Sequence, residues 1–189
     1  MNICVFGDSI VWGAFDPING GWVTLLRNYL EKKYDEVTTY NLGKCGDNSS
    51  GLLKRFRQEA TSRKPDLIIL AIGANDVVHL KDKSFWFEKY QSNMVKLISQ
   101  AKKYTNKIII LAITPVEKKL TTIGRDNRDI IECNKVLEKI AKKEKLVFVP
   151  ISKDFSTEDL FDGLHPNTRG HVKIFEMVKA AVMGFLSPE

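Results

Sequence analysis

The sequence predicts an α/β sandwich, a parallel sheet covered by helices on both faces, and three observations predict it. Short apolar runs bounded by glycine, proline or acidic residues alternate with longer segments of helical period, the alternation that builds a parallel sheet. The run Leu67-Ile68-Ile69-Leu70-Ala71-Ile72 is apolar throughout, as a strand must be when helices cover both of its faces. Polar and glycine-rich residues follow directly on the apolar runs, at the strand ends where open α/β sheets place their crevices. A chain of 189 residues, 43% hydrophobic and 10% aromatic, has globular composition and the length of one core, so residues 1–189 are expected to form a single domain.

The first strand reads Ile3-Cys4-Val5-Phe6 and runs into Gly7-Asp8-Ser9, where a glycine is expected to let the backbone turn sharply. Gly20-Gly21 precede a helix with the stripe Trp22, Leu25, Leu26, Tyr29 and Leu30, ending in Glu31-Lys32-Lys33. Val37 to Leu42, rich in β-branched residues, is a strand leading into a loop from Gly43 to Gly51. Leu52, Leu53 and Phe56 fit a short helix, stopped before Pro65. The central strand Leu67–Ile72 ends at Gly73-Ala74-Asn75-Asp76. A helix from about Phe85 to Lys103, a strand Ile108–Ile113 closed by Pro115, and a polar loop over 114–126 follow. Ile130, Ile131, Val136, Leu137 and Ile140 mark the next helix, and Leu146-Val147-Phe148-Val149 the fifth strand. Asp162-Gly163-Leu164-His165-Pro166 stands just before the last helix, whose predicted stripe is Val172, Phe175, Val178, Val182 and Phe185, with Asn167 or Thr168 as its cap.

Composition excludes several classes. The net charge of +6 sits mainly in pairs such as Lys32-Lys33, Lys102-Lys103 and Lys142-Lys143 within helical patterns, which reads as solvated helix faces and gives no nucleic-acid surface. Cys4, Cys45 and Cys133 form neither a C-x-x-C pair nor a cluster with histidines, so no disulfide framework, zinc site or other metal centre is expected. Cys45, beside Gly46, reads as a small buried residue next to the site. The first strand begins almost at Met1 without a leader-like segment, and no run has the roughly 18 apolar residues of a membrane span, so a cytoplasmic location without a membrane span is expected.

Chemistry concentrates at four of these strand ends. Ser9 is the candidate nucleophile. A lone hydroxyl is a poor one, and needs a base, a group that orients the base, and donors for the negative charge formed on the attacked oxygen. His165, with Asp162 three residues before it, supplies the first two: the carboxylate holds one ring nitrogen and leaves the other free to face Ser9. The Ser9 N–H, the Gly46 N–H and the Asn75 side-chain amide are candidate donors for the oxyanion. Asp8 and Asp76 read as carboxylates that hold their turns through backbone bonds. His79 and His171 have no such acidic partner and read as structural or exposed. Trp12, Trp86 and Phe87 fit either a substrate pocket or core packing. Gly46 to Gly51 has the glycine spacing of a phosphate loop, but Leu52-Leu53 stands where lysine and a hydroxyl residue are required, so nucleotide binding is not expected. The G-x-S-x-G elbow is absent.

Phe6-Gly7-Asp8-Ser9-Ile10, Gly46, Gly73-Ala74-Asn75-Asp76 and Asp162-Gly163-Leu164-His165-Pro166 resemble, in order and rough spacing, the four blocks of the SGNH hydrolase superfamily, the GDSL esterases and lipases. Ile10 replaces the eponymous leucine, a volume-conserving change. The resemblance implies a three-layer sandwich on a flavodoxin-like five-stranded parallel sheet, and hydrolysis of esters or thioesters with no cofactor and no metal. It implies Ser9, Asp162 and His165 as the triad, and Ser9, Gly46 and Asn75 as the oxyanion donors. Gly43, in the same loop, competes with Gly46 for the second block. The expected partner is a small-molecule ester of short acyl chain, with preference set by the segments Val77–Phe87 and Thr114–Asp126. Two other readings use the same crevice: a non-catalytic module binding carbohydrate or an acidic ligand, suggested by Lys118, Lys119 and Arg125, and an acyltransferase.

Overall fold

A computed structural model describes residues 1–77, 83–117 and 125–186. Among these residues five strands, β1 (Asn2–Gly7), β2 (Thr38–Gly43), β3 (Leu67–Ala71), β4 (Ile108–Leu111) and β5 (Val147–Val149), pair in the order β2-β1-β3-β4-β5. Every pairing is parallel. β3 is therefore the middle strand, and its residues Leu67 to Leu70 are fully buried. This is the flavodoxin-like order, in which the direction of winding reverses between β1 and β3 and a crevice opens outside their carboxyl ends.

Among the described residues, six α-helices connect and cover the sheet: α1 (Ser9–Trp12), α2 (Trp22–Lys33), α3 (Ser49–Arg63), α4 (Lys83–Ala101), α5 (Asn127–Glu144) and α6 (Thr168–Leu186). α2 packs against α6, while α3, α4 and α5 pack in series. Right-handed crossovers put those two groups on opposite faces, giving three layers. One hydrophobic core runs through all of them, from Ile3–Phe6 of β1 to Val178 and Val182 of α6. Among the described residues no helix is long and apolar enough to cross a membrane.

Two sequence expectations are corrected and a third is narrowed. α3 is not short: it starts at Ser49, capped by the Asn48 side chain on the Gly51 N–H (2.9 Å), and runs 15 residues. The buried stripe of α6 is His171, Ile174, Val178 and Val182, whereas Val172 is exposed and Phe175 and Phe185 are half-buried. His171 sets that phase. Its Nδ1 accepts from the Trp22 N–H (3.2 Å) and its Nε2 faces the Ala14 carbonyl (3.1 Å), so the ring is locked between α2 and the loop after α1. Asn167, and not Thr168, caps α6, accepting from the Gly170 N–H at 3.1 Å.

Candidate active site

Ser9 opens α1 immediately after β1, with Asp8 as cap: the Asp8 Oδ1 accepts the Ile10 N–H at 2.9 Å. Gly7 is needed here for space and not for a left-handed turn, since a Cβ on it would lie 2.2 Å from the Ala71 carbonyl of β3. That close approach sets the serine over the rim between β1 and β3.

The histidine arrives from the other end of the chain. Before α6 the backbone folds into a narrow loop closed by a bridge between Leu160 and Pro166 and by the Phe161 N–H on the His165 carbonyl (2.8 Å). Asp159, fully buried, anchors its base through Arg169 (2.6 Å) and Lys173 (2.9 Å) of α6. Inside the loop the Asp162 Oδ1 accepts the backbone N–H groups of Leu164 (3.0 Å) and His165 (2.8 Å), while its Oδ2 meets His165 Nδ1 at 2.8 Å. Burial alone would raise the Asp162 pKa, but these bonds from His165 and Leu164 outweigh it and hold the carboxyl below its ordinary value. His165 Nε2 then lies 2.9 Å from the Ser9 Oγ. With Nδ1–H given to a carboxylate, Nε2 is the ring nitrogen able to accept the serine proton.

Candidate oxyanion donors come from two further loops. The Lys44 N–H bonds the Gly7 carbonyl (3.1 Å), and a turn follows, closed by the Asp47 N–H on the Lys44 carbonyl (3.1 Å), with Gly46 at φ +74°. Arg55 clamps this loop to the sheet, donating to Asp47 (2.7 Å) and to the carbonyls of Leu42 (3.0 Å) and Gly7 (3.0 Å). The Gly46 N–H has no partner among the described residues, whereas the Gly43 N–H is taken by the Asn41 side chain (3.0 Å). Gly43 serves packing: a Cβ there would lie 2.2 Å from the Trp12 nitrogen. Asn75, in the turn after β3, gives one amide hydrogen to the Asp47 carbonyl (2.9 Å). Its oxygen accepts from Arg125 Nη2 (2.8 Å), and Arg125 Nε bonds the Ala74 carbonyl (2.8 Å). A guanidinium only donates, so it fixes which end of the amide is nitrogen and leaves a second N–H unspent.

Two acids lie behind this rim. Burial pushes the Asp8 carboxyl up to about 7, against the opposing Ile10 bond. Burial also pushes Asp76 up to about 6, although the Ser49 hydroxyl (2.5 Å) and N–H (2.8 Å) favour its charged form. Asn93 of α4 completes that network by bonding the Ser49 and Ser50 hydroxyls (2.8 and 2.9 Å). Both acids thus hold turns, as their positions in the sequence suggest.

Ser9, Asp162 and His165 are brought into one hydrogen-bonded line, and Asn75 and the Gly46 loop are tied to each other through Asp47. Cys45 is exposed and not buried, because the turn carries it outward. Trp12 is exposed near the site, but Trp86 and Phe87 pack against the core. Arg125 is 2% exposed and bonded inward, so it offers no charge to an acidic ligand. Its role was invisible in the sequence, where it is one basic residue in a polar loop. His79, Lys118 and Lys119 lie outside the described residues, as do 78–82 and 118–124 of the two segments expected to set preference.

A model of the GDSL-like lipase/acylhydrolase family matches residues 5–173. An arylesterase of Vibrio mimicus is 28% identical over 182 residues, covering 93% of this chain and 85% of its own. An acetylxylan esterase of Geobacillus stearothermophilus is 24% identical over 176 residues, covering 85% and 80%. Among solved structures, a lipase/acylhydrolase from Enterococcus faecalis superimposes with a TM-score of 0.79 at 24% identity, covering 100% of this chain and 98% of that one.

Proposed function

The chain belongs to the GDSL-like lipase/acylhydrolase family, and on that premise we propose that it hydrolyses esters of small acyl groups through Ser9, His165 and Asp162. The relatives named arylesterase and acetylxylan esterase support ester hydrolysis. The observation that carries the reading is the line Asp162–His165–Ser9, at 2.8 and 2.9 Å.

In the first half-reaction His165 Nε2 takes the Ser9 proton as Oγ attacks the ester carbonyl, and the carbonyl electrons move onto oxygen. The Ser9 and Gly46 N–H groups and the free Asn75 amide hydrogen receive that oxyanion. The imidazolium, held by Asp162, then protonates the departing alcohol oxygen as the tetrahedral species collapses to an acyl-serine. Water enters on the same side, gives its proton to His165, and attacks the acyl carbon. Collapse returns the proton to Ser9 and releases the acid. The same steps with an alcohol in place of water would make a transferase, and nothing in the described site favours that acceptor.

Purified protein is expected to cleave a short-chain aryl ester and to be labelled by a fluorophosphonate, which reacts only with an activated serine. Ser9→Ala should abolish both, and Asp162→Asn should lower kcat by about 10³- to 10⁴-fold by releasing the ring tautomer. Unchanged turnover in Ser9→Ala would reject the mechanism.

A further inference from the structure

Eight large apolar side chains are exposed among the described residues, and four of them, Trp12, Phe15, Ile18 and Phe161, belong to the end of α1, the short segment after it or the His165 loop. Such clustering on an otherwise polar surface marks a contact site. Trp12, Phe15 and Phe161 line one cleft of about 440 Å³. Phe15 and Phe161 stack with centroids 4.7 Å apart and planes 13° from parallel, and the Phe15 ring also lies 4.9 Å from the His165 ring, tilted 51° to it. Phe15 also has φ 63°, a left-handed conformation costing a non-glycine residue about 1 kcal/mol, and strain of this kind persists where surrounding contacts enforce it. Here the enforcement is visible: the Ala14 N–H bonds the Ser9 carbonyl (3.0 Å), and the Asp16 N–H bonds the Gly13 carbonyl (3.3 Å).

Among the described residues that line the cleft, Asp16 is the one ionisable side chain. Its Oδ1 accepts from the Asn19 N–H (3.1 Å) and the Thr168 hydroxyl (2.9 Å), and its Oδ2 from the Gly21 N–H (3.2 Å), so its carboxylate is committed to the loop. No ionic partner is presented to a ligand there. Which half of the substrate lies here follows from the chemistry. The leaving oxygen must take its proton from His165 Nε2, so the alcohol portion departs on the histidine side, where Phe15 and Phe161 stand. A cleft lined by an indole and a stacked phenyl pair offers a flat ring offset-stacked or edge-to-face contact.

We propose that this cleft binds the alcohol half of the ester and selects a neutral, ring-faced alcohol, aryl or pyranose. The proposal rests on the ester-hydrolase reading above and names the substrate class of that site. Phe161 is the informative position, because its side chain is exposed and its structural bond to His165 runs through the backbone.

The test compares Phe161→Ala with wild type on four acetates: benzyl acetate, a singly acetylated methyl pyranoside, hexyl acetate and ethyl acetate. The ratio of variant to wild type cancels intrinsic leaving-group differences. Phe161→Ala should lose about ten-fold more kcat/KM on one or both ring alcohols than on hexyl or ethyl acetate, mainly through KM, and Phe161→Tyr should restore it. The ring that responds identifies the source, aryl or sugar. Equal losses on all four, or a loss on hexyl acetate as large as on benzyl acetate, would overturn the proposal. So would a loss that tracks acyl length at constant alcohol. Binding read without turnover separates the two hypotheses: benzyl alcohol or the methyl pyranoside titrated into Ser9→Ala should shift the Trp12 indole N–H resonance, and less so when Phe161→Ala is added. That shift in a protein that hydrolyses no ester would reject the mechanism and retain the cleft, whereas hydrolysis without any shift would do the reverse.

Discussion

Replacing Arg125 with methionine keeps an unbranched apolar stem while removing the guanidinium and with it the two bonds that hold the Asn75 turn, those to the Ala74 carbonyl and the Asn75 oxygen. A hydrogen bond from a charged group is worth about 1.5–3 kcal/mol, and the share felt only in the transition state converts to about 10- to 100-fold in kcat. The ceiling is the complete loss of one oxyanion donor, about 10²- to 10³-fold, and it should not be reached because Asn75 keeps its bond to the Asp47 carbonyl. KM for a small ester should change little, since Arg125 is buried behind the amide. Arg125→Lys, whose ammonium lacks the fork that spans both oxygens, should fall between wild type and Arg125→Met. The decisive assay is a double-mutant cycle on aryl acetate hydrolysis, run well below the melting temperature of every variant. If Arg125 acts by orienting Asn75, its removal in an Asn75→Ala background should cost little further. An Arg125→Met effect of the same size in both backgrounds would refute that reasoning, as would a loss confined to KM.

Three other outcomes follow from the same geometry. Asp8, raised from 3.8 to about 7, binds a proton in the folded state that the unfolded state has released, so it lowers stability progressively from about pH 4 to pH 7, by up to about 4 kcal/mol above that window. Asp8→Asn, which keeps the acceptor for the Ile10 N–H, should raise the denaturation midpoint at pH 8 and not at pH 3.5; equal effects at both would contradict the assignment. Burial holds the His171 pKa below its ordinary value, the opposite sense for stability. Its contribution is complete above about pH 6.5 and declines as pH falls, by at most about 1.4 kcal/mol per unit, so His171→Gln should flatten that acid limb in Tm measured against pH. Gly46→Ala meets open space and bears only a left-handed backbone cost of about 1 kcal/mol, so it should fold yet lose activity, whereas Gly43→Ala must displace α1 and should melt far lower. Equal melting temperatures for the two would contradict the packing.

The alternation of strands and helices was legible in the apolar runs and the sheet order only through the family resemblance, while the residues of the hydrogen-bonded line were legible because they sit where apolar runs stop or a helix begins: Ser9 after β1, Asn75 after β3, and Asp162 with His165 before α6. The features that escaped are those set by contacts distant in sequence. Arg125 is 50 residues from its partner Asn75, and nothing in its own neighbourhood marks it as buried. The start of α3 at Ser49-Ser50-Gly51 goes against local helix preference and depends on Asn48 and on Asp76. α6 carries apolar residues around much of its circumference, so its phase was decided by where His171 finds two backbone partners and not by its own pattern. Cys45 misled because adjacency to a candidate oxyanion glycine says nothing about which way the turn aims the neighbouring side chain.

The separation of 156 positions between Ser9 and His165 has a consequence for how the molecule comes into being. β1 leaves the ribosome first, but it waits for β3, some sixty positions later, before it is flanked on both sides, and the imidazole emerges almost last. On the proposed mechanism, a nascent or truncated chain ending before that loop has no base for the Ser9 hydroxyl and no turnover. Regained turnover during refolding is therefore a clock for closure of the whole chain, and it should trail the return of helical circular dichroism.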